Sequence, residues 1–544
     1  MSLAIENQAD QRDEDGDKIS QLPEPILHHI LYLLSQKDAV RTCVLSKSWS
    51  YHWCARPLID FRESCSGHPF LRSGCNCKRT FLFFLDKTLQ RYHDQNLSVH
   101  ELRLEMSVDD SESNSLLEKW IPKFILPDMC LKILKLFLHH HGLEYFDLLS
   151  ILLKAETLQE LYLRGCKLSQ INSTDEVRLK CLQKLTLDDV NIANETLEMI
   201  LSSSPLLESV SLFGCTGFKA ITVCKSHGLK DIAFADINDV RDLWRRRRLE
   251  GRVSIEIDIP TIEKIRVTDC WFHHYNYLPY LTSLFLNRAG LSKSIDFLSG
   301  KYLPCLEHLT LDSCYLPQEF DLRLSGSVKR INFINTVKSL KASIDAPNIV
   351  MFVYRSEIHH SDISFTTTSS EWKSDITVDA YMDLHSDAPL WFHKLSKLLK
   401  VFSQSEISFE LNQQHEPSLC KSVHENIYRE LCREHEQIVE VEHFSLKGDY
   451  SHSRLPVFLK CLFRIFRPRY MEQHLYFSND ENYTWKKVTE LTEFLMYMFL
   501  IMEKDERRYY WPRGLEEVTM VEFDEHARSF DGMKARFQLE WVQS

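Results

Sequence analysis

No segment of this 544-residue chain is apolar enough for long enough to cross a bilayer. Its longest late apolar run, Phe494 to Met502, falls far short of the ~20 residues a span requires. The start, MSLAIENQADQRDEDGDK, lacks both the positive charge and the apolar stretch of a secretory signal. Its acidic, polar composition reads as a disordered leader over residues 1–16. Positive charge is also short: Lys and Arg number 65 against 77 Asp and Glu, a net charge of −12. That balance argues against nucleic acid as the main partner, which demands a basic face. The 16 cysteines follow no fixed spacing and read as reduced thiols used as small buried hydrophobes. G-x-S-x-G, a phosphate-cradling glycine loop and H-E-x-x-H are all missing, and nothing selects one Cys–His pair from the many single residues. These absences predict a reducing, aqueous compartment, cytoplasm and/or nucleus, with no membrane, no cofactor and no metal.

What is present is ordinary for a globular chain: 44% hydrophobic and 26% charged residues, with length for about three domain-sized units. The stretch from Asp17 to Trp53 organises the rest. Leu22-Pro23 opens it, with proline suited to a helix start, and Ile26, Leu27, Ile30, Leu31, Leu33 and Leu34 follow. At about 100° per residue these fall on one stripe of roughly 160°, with His28, His29 and Tyr32 opposite. Asp38 stands where an N-cap would serve a second helix carrying Val40, Val44, Leu45 and Trp49. Two helices this short cannot cover so much apolar surface. Burial is worth about 1.5–3 kcal/mol per large apolar side chain, so a partner surface is implied.

These residues resemble an F-box, the helical module that docks onto the Skp-type adaptor of a cullin-based ubiquitin ligase. The resemblance rests on Leu22-Pro23, Ile26-Leu27, Ile30-Leu31, Lys37-Asp38-Ala39-Val40-Arg41-Thr42, Val44-Leu45-Ser46-Lys47 and Trp49. It implies adaptor contacts through Leu22, Pro23, Ile26, Leu27, Ile30, Leu31, Val44, Leu45 and Trp49. Ser48 departs from the family's frequent arginine, and His52 from a common apolar residue.

A link with Cys65, Gly67, Gly74, Cys75 and Cys77 follows, its C-x-C pair lacking second ligands at a zinc-site interval. Next comes a helical stretch from Phe81 to Tyr92, with Phe81, Phe84, Leu85 and Leu89 on one side. From Val99 the pattern L-x-x-L-x-L recurs, with full matches to the leucine-rich repeat at Leu158–Leu168 and Leu306–Leu316. Starts at 158, 182, 207 and 229 are 24, 25 and 22 apart, within the repeat's period of about 20–29 residues. An insertion holding Arg245 to Arg248 interrupts the series before 262, and is either a solvated loop or a patch for an acidic partner or nuclear import. In each L-x-L the leucines share one side of a strand, and no repeat can bury them alone, so neighbours stack.

The x residues line the other face. Tyr162, Arg164, Thr186, Asp188, Ser211, Phe213, Arg266, Phe285, Asn287, Thr310 and Asp312 are therefore expected on the concave, substrate-facing surface. Tyr162, Phe213 and Phe285 are candidate anchors for a partner, unless the C-terminal segment folds back over them. Consecutive histidines at 139–141, 273–274 and 359–360 alternate faces in extended chain and converge poorly on a metal. Beyond Glu357 the pattern weakens into helix-then-strand units: Leu390–Phe402 before 407–411, Val457–Phe466 before 474–477, Val488–Met502 before 518–523. The tail around Trp511, Pro512 and Leu515 resembles the closing segment of plant F-box/leucine-rich-repeat proteins.

The expected architecture is α/β: leader 1–16, F-box 17–58, helical linker 59–98, leucine-rich-repeat horseshoe 99–357 and an α/β extension or cap 358–544. The resemblance implies a non-catalytic substrate-recognition subunit of an SCF-type ubiquitin ligase. Its partners would be the Skp-type adaptor, through it a cullin, and a protein substrate. The alternative is a leucine-rich-repeat scaffold that binds a partner without promoting its degradation.

Overall fold

The computed structural model describes residues 22–63 (apart from 35, 46 and 55), 76–140, 146–148, 152, 154–168, 178–218, 220–223, 228–236, 253–273, 277–291, 295–335, 340–357, 361–379, 384–413, 438–448, 455–474, 514–523 and 535–542. Outside them lie the leader, the link from Cys65 to Cys75, His141, His274, Arg245 to Arg248, His359-His360, the stretch from Val488 to Met502, and Trp511-Pro512. The chain divides into two units, Met1–Val253 and Ser254–Ser544.

In the first unit, helix α1 (Glu24–Leu33) begins behind Pro23, whose carbonyl accepts from the Ile26 and Leu27 N–H groups at 2.9 and 3.2 Å. Asp38 does not cap the second helix. Helix α2 (Gln36–Arg41) starts two residues earlier, and Asp38 instead accepts from Arg41 Nη1 at 3.0 Å. The expected second helix is in fact divided: a 3-10 turn, Thr42–Val44, separates α2 from α3 (Lys47–Cys54). At the break the Thr42 hydroxyl donates to the Ala39 carbonyl at 2.7 Å, a local bond that competes with regular helix.

Strand β1 (Leu58–Arg62) pairs in parallel with β2 (Glu101–Ser107), so the sheet starts at Leu58 rather than at 99. Between them, α4 (Asn76–Asp94) buries Leu82, Leu85, Leu89 and Tyr92. Leu85 and Leu89 lie on the expected face, Phe81 is half-buried, and Phe84 points to solvent. Helix α5 (Ser111–Ile125) is capped by Asp110, which accepts from the Ser113 N–H at 2.7 Å. The sheet continues through β3 (Ile133–His139), β5 (Glu160–Arg164), β7 (Lys184–Asp188), β9 (Ser209–Phe213) and β11 (Asp231–Ala235), all parallel. Register is unshifted. Leu102, Leu134, Leu161, Leu185, Val210 and Ile232 form one buried rung, and Leu104, Leu136, Leu163, Leu187, Leu212 and Phe234 the next. Short strands β4 (Phe146–Asp147), β6 (Cys166–Leu168) and β8 (Asn191–Ile192) form a second parallel ladder, followed by α6 (Asn194–Ser202) and β10 (Ala220–Val223).

In the second unit, β12 (Ser254–Ile257), β14 (Trp271–His273) and β16 (Gly290–Leu291) pair in parallel. The principal sheet runs through β13 (Lys264–Thr268), β15 (Ser283–Asn287), β17 (His308–Asp312), β19 (Arg330–Ile334) and β21 (Met351–Ser356). Outside it stand β18 (Glu319–Arg323), β20 (Leu340–Asp345) and β22 (Ser361–Thr366). The C-terminal third extends the same sheet through β23 (Lys373–Asp379), β24 (Glu406–Gln413), β25 (Val439–Gly448) and β26 (Phe466–His474). Helices α7 (Leu384–Val401) and α8 (Leu455–Ile465) lie between these strands, and β26 leaves α8 directly, eight residues before the strand expected at 474. Strand β27 (Leu515–Phe523) then pairs antiparallel with β28 (Ala535–Trp541), which pairs antiparallel with β26.

One backbone device recurs. The residue after the strand is left-handed at Gly165, Asp189, Gly214, Asp269, Arg288, Ser313 and Asn335, with φ between +46° and +66°. Each of their N–H groups donates to a carbonyl at the end of the adjoining strand, as Asp189 does to Phe213 at 2.8 Å and Ser313 to Ile334 at 2.7 Å. The chain thus turns the corner with no orphaned donor. The next residue points inward and is small: Cys166, Val190, Cys215, Cys270, Ala289 and Cys314 are all buried. Cys215 and Cys314 donate to the Leu187 and Leu286 carbonyls at 3.5 and 3.2 Å. Burial pushes the Cys166 thiol up, and raises Cys215 and Cys314 to about 12.

Two outcomes follow from these corners. A Cβ at Gly165 would lie 2.0 Å from the Leu138 carbonyl oxygen. Gly165→Ala should therefore cost more than about 2 kcal/mol in urea denaturation, whereas Ser313→Gly should gain roughly 0.5–1 kcal/mol by relieving left-handed strain. In brief alkylation of the native protein, exposed Cys130 and Cys305 should be modified well before Cys166, Cys215 and Cys314, as read by peptide mass spectrometry.

Candidate functional site

The first helices close a core of their own. Leu27, Leu31, Ala39 and Trp49 are buried together, with Leu22, Ile30, Leu34 and Trp53 packed against them. Of the nine expected adaptor contacts, Leu27, Leu31 and Trp49 thus fill this interior, where they shape the module without offering surface. Leu22 and Ile30 are half-buried against it. Pro23 is exposed, and the apolar side chains left in water are Ile26, Val44 and Leu45, at 46%, 88% and 62% exposure. Leu33, at 71%, and Tyr51, at 63%, join them. Leu33 belonged to the helical stripe but was not singled out, and Tyr51 carried no motif. These exposed apolar groups on a small module are the candidate interaction surface.

A hydrogen bond ties the module to the first strands. Tyr32 Oη donates to Glu101 Oε2 at 2.9 Å, and Lys135 Nζ pairs with Glu101 Oε1 at 2.8 Å. Glu101 is buried, so both oxygens are used where water cannot replace these partners. Burial first, and then the neighbouring Glu101, raise the Tyr32 phenol above its ordinary range.

On the outward face of the first sheet, unshifted register puts Arg103, Lys135, Tyr162, Thr186 and Ser211 on one rung. Glu105, Phe137, Arg164, Asp188 and Phe213 share the next. The Tyr162 and Phe137 rings lie 4.6 Å apart, with the Arg103 guanidinium 5.2 Å from the Phe137 centroid. Tyr162 Oη donates to Asp188 Oδ2 at 3.1 Å, and Arg164 Nε stands 3.6 Å from the same oxygen. Tyr162, Arg164 and Asp188 therefore meet. Ser211 is half-buried and Phe213 is 36% exposed. Thr186, between larger neighbours, is only 8% exposed and offers little to a partner.

In the second unit Arg266 is exposed, while Phe285, Asn287, Thr310 and Asp312 are half-buried. Thr310 Oγ1 accepts from Asn332 Nδ2 at 2.9 Å, and Asp312 accepts from Ser313 Oγ at 2.9 Å. Sequence reasoning missed the outward residues of the last strands. His443 stacks on Tyr470 at 5.4 Å, the Arg536 guanidinium lies 4.4 Å from the Tyr470 ring centroid, and Arg536 pairs with Glu472 at 3.4 Å. No L-x-x-L frame surrounds these residues, though alternation along 439–446 was readable.

Comparison with known proteins matches the F-box domain over residues 19–60. It also matches the leucine-rich repeats described as "FBD-associated F-box protein At5g56370, LRR repeats" over residues 125–276. Among relatives from Arabidopsis thaliana, the putative F-box protein At1g49610 is 30% identical over 217 residues, covering 40% of this chain and 49% of that protein. The F-box/FBD/LRR-repeat protein At1g51370 is 28% identical over 236 residues, covering 43% and 48%. The chain thus spans about half the length of the curated relatives it matches. The mouse RP105/MD-1 complex aligns with 68% of this chain and 59% of its own at 14% identity and a TM-score of 0.31, too slight a likeness to bear on the fold.

Burial, and then the Asp188 carboxylate, raise the Tyr162 phenol from 10.0 to about 12. A phenol whose pKa is higher folded than unfolded stabilises the fold below pH 10 and loses that contribution as pH rises through about 12. In a spectrophotometric titration of the phenolate band, the wild-type minus Tyr162→Phe difference should therefore show one tyrosine ionising near 12 rather than 10.

Proposed function

We propose that this chain, which carries an F-box followed by leucine-rich repeats, is the substrate-recognition subunit of a cullin-based ubiquitin ligase. The observation that carries the reading is the division of labour in the first helices. Leu27, Leu31, Ala39 and Trp49 complete an interior, while Ile26, Leu33, Val44 and Leu45 remain in water. A Skp-type adaptor is the partner that would cover them, and through it a cullin. Burying each such side chain is worth about 1.5–3 kcal/mol, enough together for a specific complex.

The repeats would hold a protein substrate, with the Phe137–Tyr162–Arg164–Asp188 cluster of the first unit as its best-built contact. An aromatic pair framed by arginine and carboxylate groups suits a polar protein surface with one buried anchor. The chain performs no chemistry of its own in this reading. The Tyr32–Glu101 bond, by fixing the docking module against the first strands, holds the substrate at a set distance from a ubiquitin-charged enzyme, so transfer is accelerated by proximity. Among the described residues, no helix is long and apolar enough to cross a membrane.

The test substitutes exposed residues, so that folding is spared. Val44→Asp combined with Leu45→Asp should lower co-purification with adaptor by more than about ten-fold, a loss of at least 1.4 kcal/mol, while the far-ultraviolet spectrum stays unchanged. Adaptor recovery at wild-type yield from the doubly substituted protein would end the assignment. Accumulation of a bound partner when the proteasome is blocked separates a degradation receptor from a scaffold.

A further inference from the structure

We infer that Glu24, His28 and His52 form a zinc-class metal site that staples α1 to α3. Glu24 and His28 are four residues apart on α1 and so share one face. His52 reaches them from α3. Glu24 Oε1 lies 3.8 Å from His28 Nε2 and 4.0 Å from His52 Nδ1, and all three donor atoms fall within 4.8 Å of one another. A tetrahedral ion with bonds of about 2.0–2.2 Å sets its donors about 3.3–3.6 Å apart. Modest side-chain rotations would bring this tripod onto that geometry.

A second observation points the same way. Both imidazole nitrogens are shielded from water and lack a hydrogen-bond partner, an arrangement that proteins ordinarily avoid. A metal ion would satisfy both at once. Two imidazoles and a carboxylate suit zinc, cobalt(II) or nickel(II), and disfavour magnesium and calcium, which prefer all-oxygen sets.

Access is available as well. The Glu24 carboxylate is 59% exposed against 22% and 12% for the two histidines, so the fourth coordination position faces solvent. Glu24 and His28 also line a cleft of about 570 Å³ with Tyr32, His100 and Lys132, which gives an ion a route in. The consequence is mechanical: the ion would fix the crossing of α1 and α3 in a module whose own core is small.

Equilibrium dialysis of the full chain against zinc chloride, read by atomic spectrometry, tests the site. Wild type should bind one equivalent more than His28→Ala or His52→Ala, and its melting midpoint should rise with zinc where theirs does not. Glu24→Gln, changed at a solvent-facing carboxylate, should weaken zinc binding by more than about ten-fold even if a histidine variant fails to fold, because outer-shell changes alone cost that much. Cobalt(II) bound at this site should show visible d–d bands without a thiolate charge-transfer band, which separates it from the cysteines. Equal zinc stoichiometry and equal melting shifts in wild type and folded Glu24→Gln, or a cobalt spectrum dominated by thiolate, would overturn the inference and leave an ordinary ion pair.

Discussion

Unshifted parallel pairing is the constraint on which the rest of the molecule depends. A strand of five residues can turn only two side chains inward, far too few to make a core. Stacked without slip, Leu161 and Leu163 continue the rungs of Leu134 and Leu136, and an interior is built across repeats rather than within one. The same lack of slip brings Tyr162 beside Phe137 and Arg164 beside Asp188 on the opposite face. Register is held by the left-handed corners, each of which spends its N–H on a carbonyl at the end of the neighbouring strand. A one-residue slip would break those bonds and turn every rung inside out.

The helical module obeys a different rule. It is too small to bury all its apolar side chains, and it divides them. Trp49 on α3 closes over Leu27 and Leu31 on α1, while the turn at Thr42–Val44 carries Val44 and Leu45 outward. Tyr32 then ties the module to Glu101 on β2, and Lys135 on β3 neutralises that carboxylate from the other side. The helical module and the first strands are thus linked within the first unit by a few half-buried polar contacts.

Much of this was legible in the sequence. Inward positions could be read wherever leucine filled both L-x-L sites, because the period of two is a property of strands and leucine marks it clearly. Legibility failed where other residues did the same work. Strand β1, LIDFR, has a single repeat's worth of pattern and stands before a long helix, so nothing periodic announced it. In β24 to β26 the inward residues are Phe409, Phe444 and Met471, which continue the rungs without the motif, so the sequence alone does not separate an extension of the sheet from a cap. The corner residues are glycine, aspartate, arginine, serine and asparagine, and only glycine signals a left-handed turn on its own. At the candidate site, outward strand residues followed from alternation, but Thr186 shows that a small side chain between larger ones is covered whatever its direction. In the sequence His52 is only a departure from a common apolar residue, because its neighbours on α1 lie outside any linear motif.

The reversal at β27 and β28 bears on how the molecule behaves in company. Among the described residues β27 has β28 as its sole strand partner, and its register jumps between Leu515 and Glu517 and again between Met520 and Glu522. A regular parallel rung left bare would be a template onto which a second copy could grow, link by link, into a fibre. Among the described residues the edge strand β27 runs parallel to β26 with the reversed β28 between them, is kinked twice, and carries Glu516, Glu517 and Glu522. A second copy approaching that edge meets a charged, mis-phased margin in place of an even rung.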